Sequence, residues 1–177
     1  REFFTPDDAP TRLTTLREKL ELLASFGVDR TFVCRFNQKF SALGAQQFID
    51  ELLLRRLQAR WLLVGDDFRF GAKRLGDFAL LKQVAPQAGF ELIAMDSYTH
   101  DGERVSSTVV RNALARGDLM RAKELLGRSY SISGRVMHGN KLGREIGFPT
   151  ANVQMRHNRP PLRGIFAVHL HVAETCV

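Results

Sequence analysis

Three short apolar runs begin near Arg30, Arg60 and Phe90, 30 residues apart, and stretches of helical periodicity separate them. That rhythm restricts the fold more than any other feature, because parallel neighbouring strands need a crossover of at least about a dozen residues between them. Leu16, Leu20, Leu23 and Phe26 recur at helical spacing within residues 14–26, and Gly27 follows as a stop signal. The spacing then predicts a strand over 30–36, a helix over 45–57 with Phe48 and Leu52 on one face, and a strand over 60–65. A helix over 77–85, closing near Pro86, and a strand over 90–95 complete the series. The expected fold class is α/β, with a doubly wound parallel sheet.

Beyond the polar stretch 98–103 the pattern changes, and residues 107–115 and 118–126 read as two short helices joined at Gly117. From Tyr130 the chain becomes strand-like, with alternation through Tyr130, Ile132 and Val136, a glycine-rich loop, and a strand over 165–172. The expected division is an α/β domain over 1–128 and a mostly β domain, a small barrel, over 129–177. A 49-residue β domain is near the lower limit for an independent core, and the chain opens at Arg1 without Met. Further material is therefore expected on both sides.

Of the 177 residues, 44% are hydrophobic and 25% charged, the balance of a folded domain and not of a disordered segment. No apolar run approaches the roughly 18 residues that suggest a membrane span, and no signal peptide is expected. Cys34 and Cys176 are too few for a disulfide framework or a zinc site, which fits reduced thiols and a cytoplasmic location. The net charge of +7 is uneven: residues 129–177 carry six Lys and Arg against two Asp and Glu. Such a surplus suits anionic partners, either nucleotide phosphates or a nucleic-acid backbone.

Three stretches carry chemistry. The first, Gly65-Asp66-Asp67-Phe68-Arg69-Phe70-Gly71, falls at the carboxyl end of a predicted central strand, where open parallel sheets bind ligands. Gly65 and Gly71 would let the backbone approach a ligand, Asp67 could accept hydrogen bonds, and Phe68 or Phe70 could stack on a ring. An equal reading is a tight loop whose Phe residues plug the core. In the second, Ser106, Ser107 and Thr108 stand at a helix start, with Arg111 four residues after Ser107 and so on its face. Hydroxyls, free amides and a guanidinium then meet at one turn, a natural phosphate site, although a plain N-cap with an exposed Arg explains them equally well.

The third stretch runs from Gly134 to Asn152. Its glycines at 134, 139, 143 and 147 make a pliable loop, Lys141 and Arg144 supply charge, and Pro149 fixes the local backbone. An extended 150–152 would put the Thr150 hydroxyl and the Asn152 amide on one face, a donor set that suits Mg²⁺ carrying nucleotide phosphates. The Walker string Gly-x4-Gly-Lys-Ser/Thr is absent. Arg116-Gly117-Asp118 is better read as a helix stop and the next N-cap than as an adhesion tripeptide, and His169 and His171 lack a third metal ligand.

Taken in order, Gly65 to Gly71, Ser106-Ser107-Thr108 with Arg111, and Gly147-Phe148-Pro149-Thr150-Ala151-Asn152 resemble the bacterial bifunctional riboflavin kinase and FAD synthetase over essentially the whole chain. The resemblance implies an FMN adenylyltransferase domain of nucleotidyltransferase type, lacking its first part, followed by a riboflavin kinase β-barrel lacking its last part. It implies that Ser106, Ser107, Thr108 and Arg111 hold the ATP triphosphate, while Gly65, Asp67, Phe68, Phe70 and Gly71 line the flavin or nucleotide pocket. In the kinase part, Gly139, Lys141, Gly143, Arg144, Gly147, Pro149, Thr150 and Asn152 would bind ATP, with Thr150 and Asn152 also holding Mg²⁺.

The implied small-molecule partners are riboflavin, FMN and ATP, with FAD as the final product. A homo-oligomer is compatible with this reading; a membrane or nucleic-acid partner is not expected. The family's His-x-Gly-His motif would lie before Arg1 and its kinase base, a Glu, beyond Val177, so no catalytic residue is assigned and this stretch alone is expected to be inactive. Two alternatives explain less. Another small-substrate nucleotidyltransferase leaves 147–152 without a purpose, and a nucleic-acid module requires more aromatics in the tail than Tyr130, Phe148 and Phe166.

Overall fold

A computed structural model describes residues 9–137, 139, 147–148, 150–155 and 159–172. It divides into two compact units: Arg30–Val105 with Ala9, and Pro10–Asp29 with the described residues from Ser106 onward. The architecture is mixed α/β.

In the first unit, strands β1 (Trp61–Gly65) and β2 (Glu91–Met95) pair in parallel, from Trp61↔Glu91 to Gly65↔Met95. The 30-residue rhythm of the sequence is thus the register itself. Leu62, Val64 and Leu92 turn one face of this pair onto a core of Ile49, Leu53, Phe70, Leu81, Ala85 and Phe90. Trp61, Leu63, Ile93 and Met95 leave the opposite face exposed. In the crossover, helix α4 (Phe78–Ala88) is capped by the Asp77 side chain and ended by Gly89, whose φ of 72° suits the left-handed stop. It runs two residues past Pro86 instead of closing there, and Gly89, not the proline, ends it.

Two further expectations in this unit are corrected. Residues 45–57 do not form one regular α-helix: α3 (Ala45–Gln47) passes into a π-helix at Phe48–Arg56, which buries Ile49, Leu52 and Leu53. Apolar spacing alone does not separate i→i+4 from i→i+5 bonding. The strand expected over 30–36 is not formed, and Phe32, Val33 and Phe36 are exposed, as a strand needs a hydrogen-bonded neighbour as well as an apolar pattern. A short helix α2 (Gln38–Ser41) follows, capped by Asn37. Within the polar stretch lies a hairpin, β3 (Thr99–His100) with β4 (Glu103–Arg104), turned by Asp101 and Gly102 at φ 52° and 77°. Asp-Gly is the usual signal for such a turn.

The second unit contains helices α1 (Leu16–Ser25), α5 (Ser107–Ala115) and α6 (Leu119–Leu126). Val110, Ala113 and Leu114 of α5 are buried, as are Ala122 and Leu125 of α6. Gly117 at φ 76° stops α5, and the Asp118 carboxylate caps α6 by accepting from Arg121 N at 2.9 Å, so the tripeptide is structural here. Strands β5 (Arg135–Met137) and β6 (Asn152–Gln154) form an antiparallel pair, from Arg135↔Gln154 to Met137↔Asn152. The strand expected over 165–172 is not formed, and Ile165, Val168, Leu170 and Val172 are exposed.

Candidate functional site

The loop after β1 is built from short-range bonds. Phe68 N donates to Gly65 O at 3.0 Å, and Phe70 exchanges backbone hydrogen bonds with Gly76 at 3.0 and 2.9 Å. Phe70 is a core residue, 5% exposed, and Phe68 stacks on it with centroids 5.5 Å apart, so the plugging role left open by the sequence is what Phe70 performs. Phe48 continues the stack at 5.0 Å. Gly71, at φ 72° and ψ 173°, brings the loop so close to the start of α3 that a Cβ there would lie 2.8 Å from both Cα and N of Ala45. The exposed Asp67 carboxylate meets Arg104 Nη2 at 3.1 Å.

Asp77 ties this loop to α4: it accepts from Leu80 N at 2.9 Å and pairs with Arg69 at 2.7 Å. The Leu80 amide holds the Asp77 carboxyl below its ordinary pKa against the opposing effect of burial, and Arg69 adds to the lowering. Gly65, Asp67, Phe68, Phe70 and Gly71 all belong to the first unit, whereas Ser106 opens a helix of the second.

At the start of α5, Ser106 is the N-cap, accepting from Val109 N at 3.4 Å, and Ser107 and Thr108 are exposed in the first turn. Arg111 is half-buried, and its Nε donates to Thr11 O at 2.6 Å. That bond orients the guanidinium one turn into the helix whose N-terminal amides and dipole favour an anion.

In the tail, Thr150 stands two residues before Gln154's partner-bearing strand begins at Asn152, and both Thr150 and Asn152 are exposed. Gly139 faces the Asn152 side chain so closely that a Cβ there would collide with Nδ2, and Gly147 takes φ 82°. Lys141, Gly143, Arg144 and Pro149 lie outside the described residues.

Comparison with known proteins decides what these stretches belong to. The model of the FAD synthetase family matches residues 1–109, and that of the riboflavin kinase family matches residues 126–177. This chain belongs to the FAD synthetase family. Its match is followed, after residues 110–125, by the riboflavin kinase match, and the chain is similar to curated relatives described as bifunctional riboflavin kinase/FMN adenylyltransferase. That of Escherichia coli K12 is 51% identical over 96% of this chain and 54% of its own length. Those of Pseudomonas fluorescens and Haemophilus influenzae are 46% and 44% identical over 97% of this chain and 55% and 56% of theirs. The chain spans about half the length of the curated relatives it matches. A solved structure described as a macrolide-efflux protein from Streptococcus pneumoniae is similar with a TM-score of 0.68 and 29% identity, over 81% of this chain and 46% of that one.

Within this FAD synthetase family member, one polar cluster escaped the sequence reading. Glu18, 8% exposed, completes a capping box with Thr15: its Oε2 accepts from Thr15 N at 2.6 Å, while Thr15 Oγ1 accepts from Glu18 N at 3.2 Å. Its other oxygen accepts from both N and Oγ of Ser133, at 2.7 and 2.8 Å. Burial alone would raise the Glu18 pKa, but the hydrogen bonds from Thr15 and Ser133 outweigh it and leave the carboxyl below its ordinary value. Tyr130 donates its hydroxyl to Leu13 O at 3.2 Å, and burial, with the Glu18 charge nearby, pushes its pKa up to about 12. Thr-x-x-Glu before an apolar run is a readable capping signal; nothing local announces the bond to Ser133, 115 residues away.

Proposed function

We propose that the protein to which this chain belongs makes flavin cofactors, phosphorylating riboflavin to FMN and adenylylating FMN to FAD, with ATP as co-substrate of both steps. The observation that carries this reading is the tandem order of the two family matches, 1–109 and 126–177, over one chain. We assign residues 1–128 to the adenylyltransferase and 129–177 to the kinase. The parallel β1–β2 pair is read as part of a doubly wound sheet, and β5–β6 as part of a barrel.

In the adenylyltransferase, the amides and exposed hydroxyls at Ser106, Ser107 and Thr108, with Arg111 fixed by Thr11, receive the ATP triphosphate. Gly65, Asp67 and Phe68 line the flavin or nucleotide pocket, while Phe70 and Gly71 shape it from beneath through the core and the Ala45 backbone. Adenylyl transfer places negative charge on phosphate oxygens. Preorganised amides and a guanidinium stabilise that charge without having to reorient during the reaction.

In the kinase, Thr150 and Asn152 offer neutral, exposed oxygen donors, and Gly139 keeps a Cβ from the space beside the Asn152 amide. This donor set fits Mg²⁺, which would neutralise phosphate charge when bound. Gly139, Lys141, Gly143, Arg144, Gly147 and Pro149 are assigned to ATP binding. A cytoplasmic location accords with this chemistry, and no helix among the described residues is long and apolar enough to cross a membrane. The efflux role named for the pneumococcal structure is not carried over, since the tandem matches give both parts of the chain a use.

The test is a division of labour in the full-length protein. Thr150→Ala should lower riboflavin phosphorylation by about 100-fold or more and leave FMN adenylylation nearly intact, and Arg111→Ala should do the reverse. Equal damage to both activities in a folded variant would refute the assignment.

A further inference from the structure

The use made of Glu18 exceeds what its helix needs. A capping box requires one carboxylate oxygen for the N-cap amide, and Oε2 meets that need at Thr15. Oε1 is given wholly to the backbone and hydroxyl of Ser133. A buried carboxylate is costly unless its lone pairs are filled, so Ser133 is as much a condition of burying Glu18 as Thr15 is.

Ser133 stands where the tail enters its hairpin. It immediately precedes Gly134, where a Cβ would fall 2.5 Å from Gln154 O, so the chain entering β5 passes tightly against the end of β6. The ladder then runs to Met137↔Asn152, at whose far end Gly139 lies against the Asn152 side chain. Glu18 therefore grips the end of the β5–β6 ladder opposite to Asn152. Tyr130, bonded to Leu13 O, fastens the same lead-in to the same helix start at a second point. Both anchors, Leu13 and Glu18, fall within the FAD synthetase match, yet what they hold falls within the riboflavin kinase match.

We propose that Glu18 is a positioning residue for the kinase reaction: it fixes the frame of the β5–β6 hairpin on helix α1, and with it the placement of Asn152. This rests on the reading of Thr150 and Asn152 as the kinase nucleotide site. The consequence is that a residue in the adenylyltransferase sequence sets ATP binding in the other activity.

The experiment compares Glu18→Ala, Ser133→Ala and Thr15→Ala in the full-length protein, measuring both activities and the amide exchange of Ser133. Glu18→Ala should raise the ATP KM of riboflavin phosphorylation about tenfold, the usual scale for a lost supporting contact, with adenylylation changed less than about twofold. Ser133→Ala, which removes one of the two Ser133 bonds and leaves the α1 cap intact, should move the same KM in the same direction by less. Thr15→Ala loosens the helix start but keeps the Ser133 bonds, so the KM should stay put even if the protein melts earlier.

An unchanged ATP KM in Glu18→Ala overturns the proposal, as does a rise of equal size in Thr15→Ala. Should Glu18→Ala not fold, Ser133→Ala decides, and an unchanged KM there has the same force. Faster Ser133 exchange in Glu18→Ala with normal phosphorylation would prove the tether but refute its positioning role. A wild-type protein unable to phosphorylate riboflavin would instead overturn the functional reading, while the Ser133 exchange would still report on the tether.

Discussion

Replacing Gly71 by Ala should be one of the most damaging single-methyl changes in the chain, and the structure says why it should exceed a like change elsewhere. At φ 72° and ψ 173°, Gly71 occupies a region almost closed to residues with a Cβ, a conformational cost of about 1–3 kcal/mol. The added methyl would also lie 2.8 Å from both Cα and N of Ala45, backbone atoms that cannot rotate aside, and overpacking of this kind costs about 1–3 kcal/mol more. A total of roughly 2–6 kcal/mol follows. Gly89 is the control: it has the same φ of 72°, but a Cβ there meets nothing within 4 Å, so Gly89→Ala should cost about 1 kcal/mol. By calorimetry the expected falls in Tm are roughly 4–24 °C for Gly71→Ala and roughly 2–4 °C for Gly89→Ala. Equal falls would refute the argument that the loop is seated on the Ala45 backbone, since φ alone would then account for both.

Two pH effects follow from the shifted groups. Tyr130 holds its proton more tightly folded, at about 12, than unfolded, near 10, so its stabilising contribution is complete below about pH 10 and lost as pH rises toward 12. Tyr130→Phe should remove that alkaline loss from denaturation curves; an unchanged slope would count against the burial of its hydroxyl and the nearby Glu18 charge. Asp77 has the opposite sign. Its folded pKa is depressed, so its contribution is present above the unfolded value near 4 and lost as pH falls through the folded one. Asp77→Asn should flatten the acid limb of stability, and an identical acid limb in the variant would show that the Leu80 and Arg69 contacts do not hold in solution.

The strand rhythm was legible because β1 and β2 are apolar, well spaced and paired with each other, and helices α1, α4 and α6 carried their stops or caps in Gly27, Asp77, Gly89 and Asp118. Residues 30–36 and 165–172 have equally strand-like patterns, yet remain outside any strand. An apolar alternation states that a segment can pair; a neighbour must supply the other half of the hydrogen bonds. The same limit applies to the site. Hydroxyls at Ser106, Ser107 and Thr108 announce a helix start, but nothing near Arg111 says that Thr11, 100 residues away, orients it.

Local order was therefore fixed by residues acting on their own neighbourhood: caps, left-handed glycines, apolar period, and the motifs at 65–71, 106–111 and 147–152. Tertiary structure alone decided that Phe70 belongs to the core, that Gly71 rests on Ala45, and that Glu18 reaches Ser133. Those outcomes depend on which distant segments share a volume, and close packing across 26 residues or hydrogen bonds across 115 leave no mark in the spacing of either partner.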